Sequence, residues 1–457
     1  MTDLNQILET QRTAFLATPP PDLATRRADL SRLAKAVKAK ADVLAKAANE
    51  DFGRRAPSET KLLDLVPTIN AIEYLDSNLR RFMAPERRST HFALWPGKSR
   101  LHYQPKGVVG IISPWNYPYL LALAPLATAL AAGNRVMLKP SEFTPACSAA
   151  MRELLEELFR PDQVAVVEGG PELGAEFSAL PFDHLFFTGG TEVGRKVMQA
   201  AAANLTPVTL ELGGKSPAIV APGADMAEAT ASIAFGKLVN GGQTCIAPDY
   251  ALVPRTKLDA FCEAMQAEGR KLYPSGTADE NFTLPIHDRH ATRLTKLADD
   301  AVAQGARRLP LLDGENAPAM LLDVTDEMPV MQEEIFGPHL PVIPYDTIED
   351  AIDYINARPR PLALYHFGPD DDAREAVLTR TTSGGVTVND TLLHVAVDSL
   401  PFGGIGPSGL GSYHGPEGFK SMSHAKSVFT QRKPNGSHLI RPPYGKWTKR
   451  ILKHFLG

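Results

Sequence analysis

The stretch Gly107-Val108-Val109-Gly110-Ile111-Ile112-Ser113-Pro114-Trp115-Asn116-Tyr117-Pro118 sets the architecture of the chain. Its first half is a short, continuous apolar run, the pattern of a strand buried on both faces. Pro114 and Pro118 end that run, and the Ala/Leu-rich segment after them has helix composition. Beyond this strand-loop-helix unit the alternation recurs. Val136-Met137-Leu138 is followed by a helix over 145–159, then Val164-Ala165-Val166-Val167, then His184-Leu185-Phe186-Phe187 and a helix from about Glu192. Strands and helices at this spacing imply right-handed crossovers and a parallel sheet.

After Glu211-Leu212-Gly213-Gly214 a second α/β series begins, with a strand over 217–221, a helix over 225–239 and a strand over 250–253. Residues 1–82 have helical spacing (Leu23, Leu30, Leu33, Val37, Leu44), with Asp22 placed to cap after Pro19-Pro20-Pro21. Residues 84–104 and 422–440 belong to neither series and contain alternating stretches, so they are expected to pair as a small separate sheet. The expected fold class is therefore α/β. A parallel-sheet domain takes 1–83 and 105–211, a second α/β domain 212–421, a small β arm 84–104 and 422–440, and a tail 441–457.

At 457 residues, 44% hydrophobic and 22% charged, the chain is long enough for two or three globular modules and is no disulfide-stapled miniature. Lys plus Arg at 48 against Asp plus Glu at 52 gives a net charge of −4, which offers no global positive field for nucleic acid. The longest apolar run, 120–132, falls short of the roughly 20 residues that span a bilayer, so no transmembrane span is expected. The N-terminus lacks a secretory pattern, and three cysteines form no disulfide framework, so a reducing, cytoplasmic setting is expected.

Cys245 follows the glycine pair Gly241-Gly242 and precedes Pro248, a context in which a loop can present sulfur to a ligand. A free thiol is mostly protonated at neutral pH, so a nucleophilic Cys245 needs a base or positive electrostatics. Cys147 and Cys262 sit in ordinary helical patterns and read as small buried apolar residues. Glu211 ends an otherwise apolar strand where ligands of open α/β sheets gather, and burial there would raise its pKa toward that of a general base. Asn116, in the loop after 108–112, can donate its amide to a developing oxyanion. Lys139 and Glu142 leave the end of the next strand as a cation and a carboxylate suited to sugar hydroxyls. Gly190 and Thr191 open a helix whose free N–H groups could face a pyrophosphate. Gly404-Ile405-Gly406-Pro407-Ser408-Gly409 matches a dinucleotide fingerprint in letters only, because Pro407 and Gly411 prevent a helix from opening there. His287 and His290 lack the partners of a metal site, and no metal is expected. Lys446, Lys449, Arg450 and Lys453 oppose Trp447, Ile451 and Phe455 at helical spacing. The tail is thus a basic amphipathic helix, expected to dock on its own protein in preference to a membrane surface.

Six ordered motifs together resemble the aldehyde dehydrogenase superfamily: Pro114-Trp115-Asn116-Tyr117-Pro118, Lys139-Pro140-Ser141-Glu142, Phe187-Thr188-Gly189-Gly190-Thr191, Glu211-Leu212-Gly213-Gly214-Lys215-Ser216-Pro217, Gly242-Gln243-Thr244-Cys245 and Glu333-Glu334-Ile335-Phe336-Gly337-Pro338. Further stretches, Cys245-Ile246-Ala247-Pro248-Asp249-Tyr250, Leu400-Pro401-Phe402-Gly403-Gly404 and Ser412-Tyr413-His414-Gly415 among them, are similar to its class 3 and fatty aldehyde branch. The resemblance implies an NAD(P)-binding domain over 1–83 and 105–211, a catalytic domain over 212–421 and an oligomerisation arm, hence a homodimer. It also implies oxidation of an aldehyde to a carboxylic acid. Cys245 would be the nucleophile, Asn116 an oxyanion donor and Glu211 the base that activates water against a thioester. Lys139 and Glu142 would hold the adenosine ribose, Gly190 and Thr191 the pyrophosphate, and Glu334 with Phe336 the nicotinamide end.

Two departures bear on the transfer. Position 190 is Gly where many relatives carry Ser, and the chain shows no hydrophobic anchor like that of membrane-bound fatty aldehyde members. Glu142 should repel the extra phosphate of NADP, so NAD is expected with NADP possible. An aromatic, coniferyl-type aldehyde is the expected substrate and a medium or long-chain aliphatic one the alternative, with Tyr117, His394 and Phe402 as pocket candidates. A coenzyme A-acylating dehydrogenase is opposed by Glu211. A non-catalytic binding protein is opposed by Cys245, Glu211 and Asn116 together.

Overall fold

The computed structural model describes residues 3–314 and 317–457, and three sheets organise them. The apolar run before Pro114 is β3 (Val108–Ile112), with all its residues buried. It lies between β4 (Arg135–Lys139) and β5 (Val164–Val166) on one side and β6 (His184–Thr188) and β7 (Val208–Glu211) on the other, all parallel. The chain steps outward from β3 to β5 and then returns to β6 on the opposite flank, so strand order reverses between β3 and β6. Ligands of open α/β sheets lie beyond the carboxyl ends at such a switch point, and here the loops starting at Ser113 and Gly189 meet.

The helix Leu120–Ala132 is apolar all round and buried beyond its first residue, as a helix enclosed by other elements must be. Asp64 accepts the N–H groups of Tyr119 and Leu120 at its start. Helices Leu23–Ala39 and Val66–Met83 cover it, Ala41–Asp51 packs on the next helix Pro145–Leu158, and Leu30, Leu33, Val37 and Leu44 join the common core. Asp22 caps the first of these through the N–H of Thr25, at 2.8 Å.

The second sheet runs β10 (Arg307–Pro310), β11 (Ala319–Leu322), β12 (Leu340–Tyr345), β9 (Tyr250–Pro254), β8 (Pro217–Val220), β13 (Ala363–Phe367), β14 (Gly385–Val388), parallel except for β10. The third is antiparallel: β1 (Glu86–Arg88), β2 (Lys98–Pro105) and β16 (Ser423–Thr430). It joins the two segments expected to pair. One connection differs from the division drawn at residue 212, because β15 (Gly409–Leu410) returns from the second series to the edge of the first sheet and pairs Gly409 with Glu211. A two-residue strand leaves no periodicity to read. The fingerprint look-alike is the turn that leads into β15, and no helix opens on its glycines; the next helix begins only at Gly415.

Candidate catalytic site

The helix Met226–Leu238 gives way to a tight turn in which Asn240, Gly241 and Gly242 all have positive φ (52°, 58° and 72°). A Cβ on Gly242 would lie 2.4 Å from the carbonyl carbon of Gly337. The glycine pair is therefore a fixed left-handed turn, and Gln243 locks the segment after it: its amide donates to Asn240 O and Leu284 O and accepts from the N–H of Ile286. Gly242→Ala is expected to cost about 2–5 kcal/mol, from the strained φ and the backbone overlap together; thermal unfolding checks it, and an unchanged midpoint would refute the geometry.

This turn delivers Cys245 to the junction of two cavities. The first, ≈ 220 Å³, is lined by Asn116, Gly190, Glu211, Glu334 and Phe336 with Cys245. The second, ≈ 170 Å³, has a largely apolar wall from Leu63 and Pro67 to Phe235 and Leu393, with Asn70, Tyr117, Thr244, Asp398 and His414 as polar members. The two share Cys245, Leu121 and Phe402. From the first, a larger groove of ≈ 770 Å³ continues past Gly190, Gly213 and Glu334 to Thr191 and Lys215.

Electrostatics in this junction are set by burial. Glu211 is buried with neither carboxylate oxygen hydrogen-bonded, and burial raises its pKa well above the ordinary value. The thiol of Cys245 is pushed up to about 12, by burial first and then by the carboxylates of Glu334 and Glu211; the N–H groups of Cys245 and Ile246 act the other way. Although Cys245 is partly open to the cavities, it is a thiol at neutral pH in this state. Glu334 rises to about 8 through burial and Asp249, opposed by the Gly214 N–H and by Lys215 and Arg293. Its carboxylate lies against Gly213, where a Cβ would come within 2.0 Å of it.

Asn116 is buried, and its amide nitrogen donates to Gln243 O at 3.1 Å. The amide has two N–H groups, so one remains for a ligand. Its backbone carbonyl accepts from the Arg55 guanidinium and from the Asn240 amide, each at 3.0 Å. Arg55 is fully buried, 3.6 Å from Glu59 and over the ring of Tyr117. Neither Arg55 nor Glu59 carried any sequence signal, since both fall in a segment that reads only as helical scaffold.

The residues expected to meet a dinucleotide divide into two groups. Gly190, Thr191, Glu334 and Phe336 line the first cavity or its groove. Lys139 and Glu142 pair with each other at 3.1 Å at the carboxyl end of β4, and line neither. Nothing lies within 4 Å of a Cβ built on Gly190, and the helix Thr191–Ala202 behind it has no side-chain cap. Room and unpaired N–H donors at one spot fit a pyrophosphate.

Of the three pocket candidates, Tyr117 and Phe402 line the second cavity; Tyr117 also shares a hydrogen bond with Thr244. His394 does not line it. The expectation is corrected, because its ring stacks behind Phe402 at 6.0 Å and its Nδ1 pairs with the Thr387 hydroxyl. The histidine that does line the cavity is His414, buried, stacked on Phe402 at 5.4 Å, with Nδ1 unpartnered. Burial lowers its pKa to about 4, so it is neutral. His287 and His290 serve structure: His287 Nδ1 accepts the N–H of His290, whose Nε2 pairs with Phe336 O. Among the described residues no cluster of His, Cys, Asp or Glu could hold a metal ion.

The sequence model for the aldehyde dehydrogenase family matches residues 1–428. A Pseudomonas aeruginosa protein named "Probable coniferyl aldehyde dehydrogenase" is 48% identical over 453 residues, covering 98% of this chain and 95% of its own. A substrate-bound state of AldH from Staphylococcus aureus superposes with a TM-score of 0.94 at 36% identity, covering all of both chains. A Mycobacterium tuberculosis aldehyde dehydrogenase complexed with NAD+ superposes with a TM-score of 0.85 at 31% identity, covering 94% of this chain and 90% of that one.

Proposed function

This chain belongs to the aldehyde dehydrogenase family and is an NAD(P)-dependent aldehyde dehydrogenase, and on that premise we propose that Cys245 is its nucleophile, Glu211 its base and Asn116 its oxyanion donor. The observation that carries this assignment is the position of Cys245 between two cavities, with an unpartnered buried carboxylate in one of them. The Cys245 thiol passes its proton to water in the cavities as its sulfur bonds to the carbon of an aldehyde lying in the second cavity. The resulting oxyanion takes hydrogen bonds from the free N–H of the Asn116 amide and from the backbone N–H of Cys245. Glu334 and Phe336 would hold a nicotinamide beside Cys245, and that group would supply a two-electron hydride acceptor; with hydride lost from its carbon, the adduct on Cys245 becomes a thioester. Glu211 then removes a proton from water as it adds to the thioester; the acid departs and the thiol is restored.

Gly190 and Thr191 would hold the pyrophosphate, Lys139 and Glu142 the adenosine ribose, and Glu334 with Phe336 the nicotinamide end. The Glu142 carboxylate favours NAD over NADP. We place this binding in the domain of residues 1–83 and 105–211, catalysis in 212–421, and a homodimer contact on the β arm, in a cytoplasmic enzyme.

The substrate we propose is an aromatic aldehyde of the coniferyl type, the class named for the Pseudomonas aeruginosa relative. The second cavity supports it: aromatic rings of Tyr117 and Phe402 flank a slot lined also by His414 and by Asp398, whose pKa burial raises to about 6. A ring hydroxyl can satisfy the Asp398 carboxyl, whereas an alkyl chain would cover it without a partner, at a cost of about 1–3 kcal/mol. The aliphatic reading keeps the support of the largely apolar wall. Initial rates of reduced nicotinamide formation with coniferaldehyde, benzaldehyde, hexanal and a long-chain alkanal decide between them. Asp398→Leu is expected to lower kcat/KM for coniferaldehyde about tenfold and to leave hexanal within about twofold. Equal losses on both would remove Asp398 from substrate selection.

A further inference from the structure

The helix Lys446–Leu456 has no buried residue. Trp447, Ile451, Leu452, Phe455 and Leu456 are 65%, 39%, 50%, 56% and 80% exposed. Its link to the rest of the chain is narrow: Phe455 stacks on Phe92 of the β arm at 6.2 Å, and the Thr448 hydroxyl donates to Leu439 O. The expectation that it docks on its own protein therefore fails, since docking would have hidden the apolar side.

At 100° per residue the five apolar side chains occupy one half of the helix, and Lys446, Lys449, Arg450, Lys453 and His454 occupy the other. No acidic side chain interrupts the basic half. The asymmetry extends beyond the helix, because residues 418–457 contain nine Lys and Arg and no Asp or Glu. With the whole chain at −4, this +9 segment leaves −13 on the rest. Phe92 and Trp95, 69% and 74% exposed on the neighbouring arm, extend the apolar side.

We propose that the helix Lys446–Leu456 lies in the interface of an anionic lipid bilayer, with its Trp447–Ile451–Phe455 side against the acyl boundary and its Lys and Arg side chains among the headgroups. A nucleic acid would engage the cations and leave the apolar half in water. A second protein surface fits less well, because interface cores are depleted in lysine and mix charges at their rims. An apolar half carrying Trp and Phe against a wholly cationic half is the pattern of an interfacial helix. No helix among the described residues is long and apolar enough to cross a membrane, so the attachment is peripheral and reversible.

The test is co-sedimentation of the full chain with phosphatidylcholine vesicles, with and without about a third phosphatidylglycerol, at low and at about 0.5 M salt. Binding is expected only to the anionic vesicles and is lost at high salt. The triple variant Lys449→Glu, Arg450→Glu, Lys453→Glu should bind about a hundredfold more weakly, on the roughly fivefold per charge that about 1 kcal/mol near an anionic surface represents. Its activity on a small soluble aldehyde should stay unchanged, which shows that it is folded. A blue shift of Trp447 emission on anionic vesicles, absent in Trp447→Phe, is the second readout. Equal binding to both vesicle types, or to neither, would overturn the proposal. So would a triple variant that changes oligomeric mass while binding vesicles like the parent, because a second copy would then be the occupant.

Discussion

With alanine in place of Cys245, aldehyde-dependent reduction of NAD is expected to fall by at least about 10⁴-fold, since the proposed covalent route has no substitute nucleophile. Cys147 is buried away from the junction, and Cys262 lies in the helix Leu258–Leu272 of the second domain. The variant should fold normally, because the loss is one partly open sulfur atom while the turn through Gly241 and Gly242 and the Gln243 bonds are untouched. Turnover with a single protein preparation, read as reduced nicotinamide at saturating coniferaldehyde, checks it. Activity within tenfold of the parent would remove Cys245 from the chemistry.

The second large effect is expected at Glu211. Glu211→Gln should lower steady-state turnover about 10²–10⁴-fold, because the amide cannot take the proton from water. The same change has an opposite sign in stability. A carboxyl whose folded pKa is raised contributes stability that is fully present below its unfolded value near 4.5 and is lost as pH rises toward the folded value. Glutamine is neutral at every pH and lacks this loss. The melting temperature of the variant should therefore exceed that of the parent by a margin that is absent near about pH 4 and widens from about pH 5 toward about pH 8. A margin independent of pH would mean that Glu211 ionises in the folded chain as it does in water.

How much of the fold and site is legible in the sequence differs by residue, for physical reasons. β3, β4 and β6 were readable because strands buried on both faces are continuous apolar runs, and the residues at their carboxyl ends inherit a predictable place in the crevice. Glu211 stood out as a carboxylate closing such a run, and Cys245 as a thiol next to backbone breakers. The arm pairing of β2 with β16 was readable only as a pair of segments left over, since antiparallel partners far apart in sequence share no local signal. The walls of the second cavity are legible only in part: Tyr117 and Phe402 line it as expected, while His414 and Asp398 carry no sequence signal for it. Phe402, His394 and His414 come from one irregular stretch, and only packing decides that Phe402 and His414 face the cavity while His394 stands behind. Arg55 was invisible for the same reason: a buried arginine in a helical segment looks like any solvated one until its guanidinium is found on Asn116 O. β15 was missed because two residues cannot show a period.

At the heart of the proposed chemistry, acyl transfer passes through Cys245 and is resolved by Glu211. Both steps are read at once when Glu211→Gln is mixed with excess NAD and coniferaldehyde, and reduced nicotinamide is followed together with the intact mass of the protein. A burst close to one equivalent per chain is expected, followed by slow turnover, with the acyl mass increment carried by the peptide that contains Cys245. A variant that is equally slow in the first turnover and in the steady state, with no mass increment on that peptide, would contradict this route.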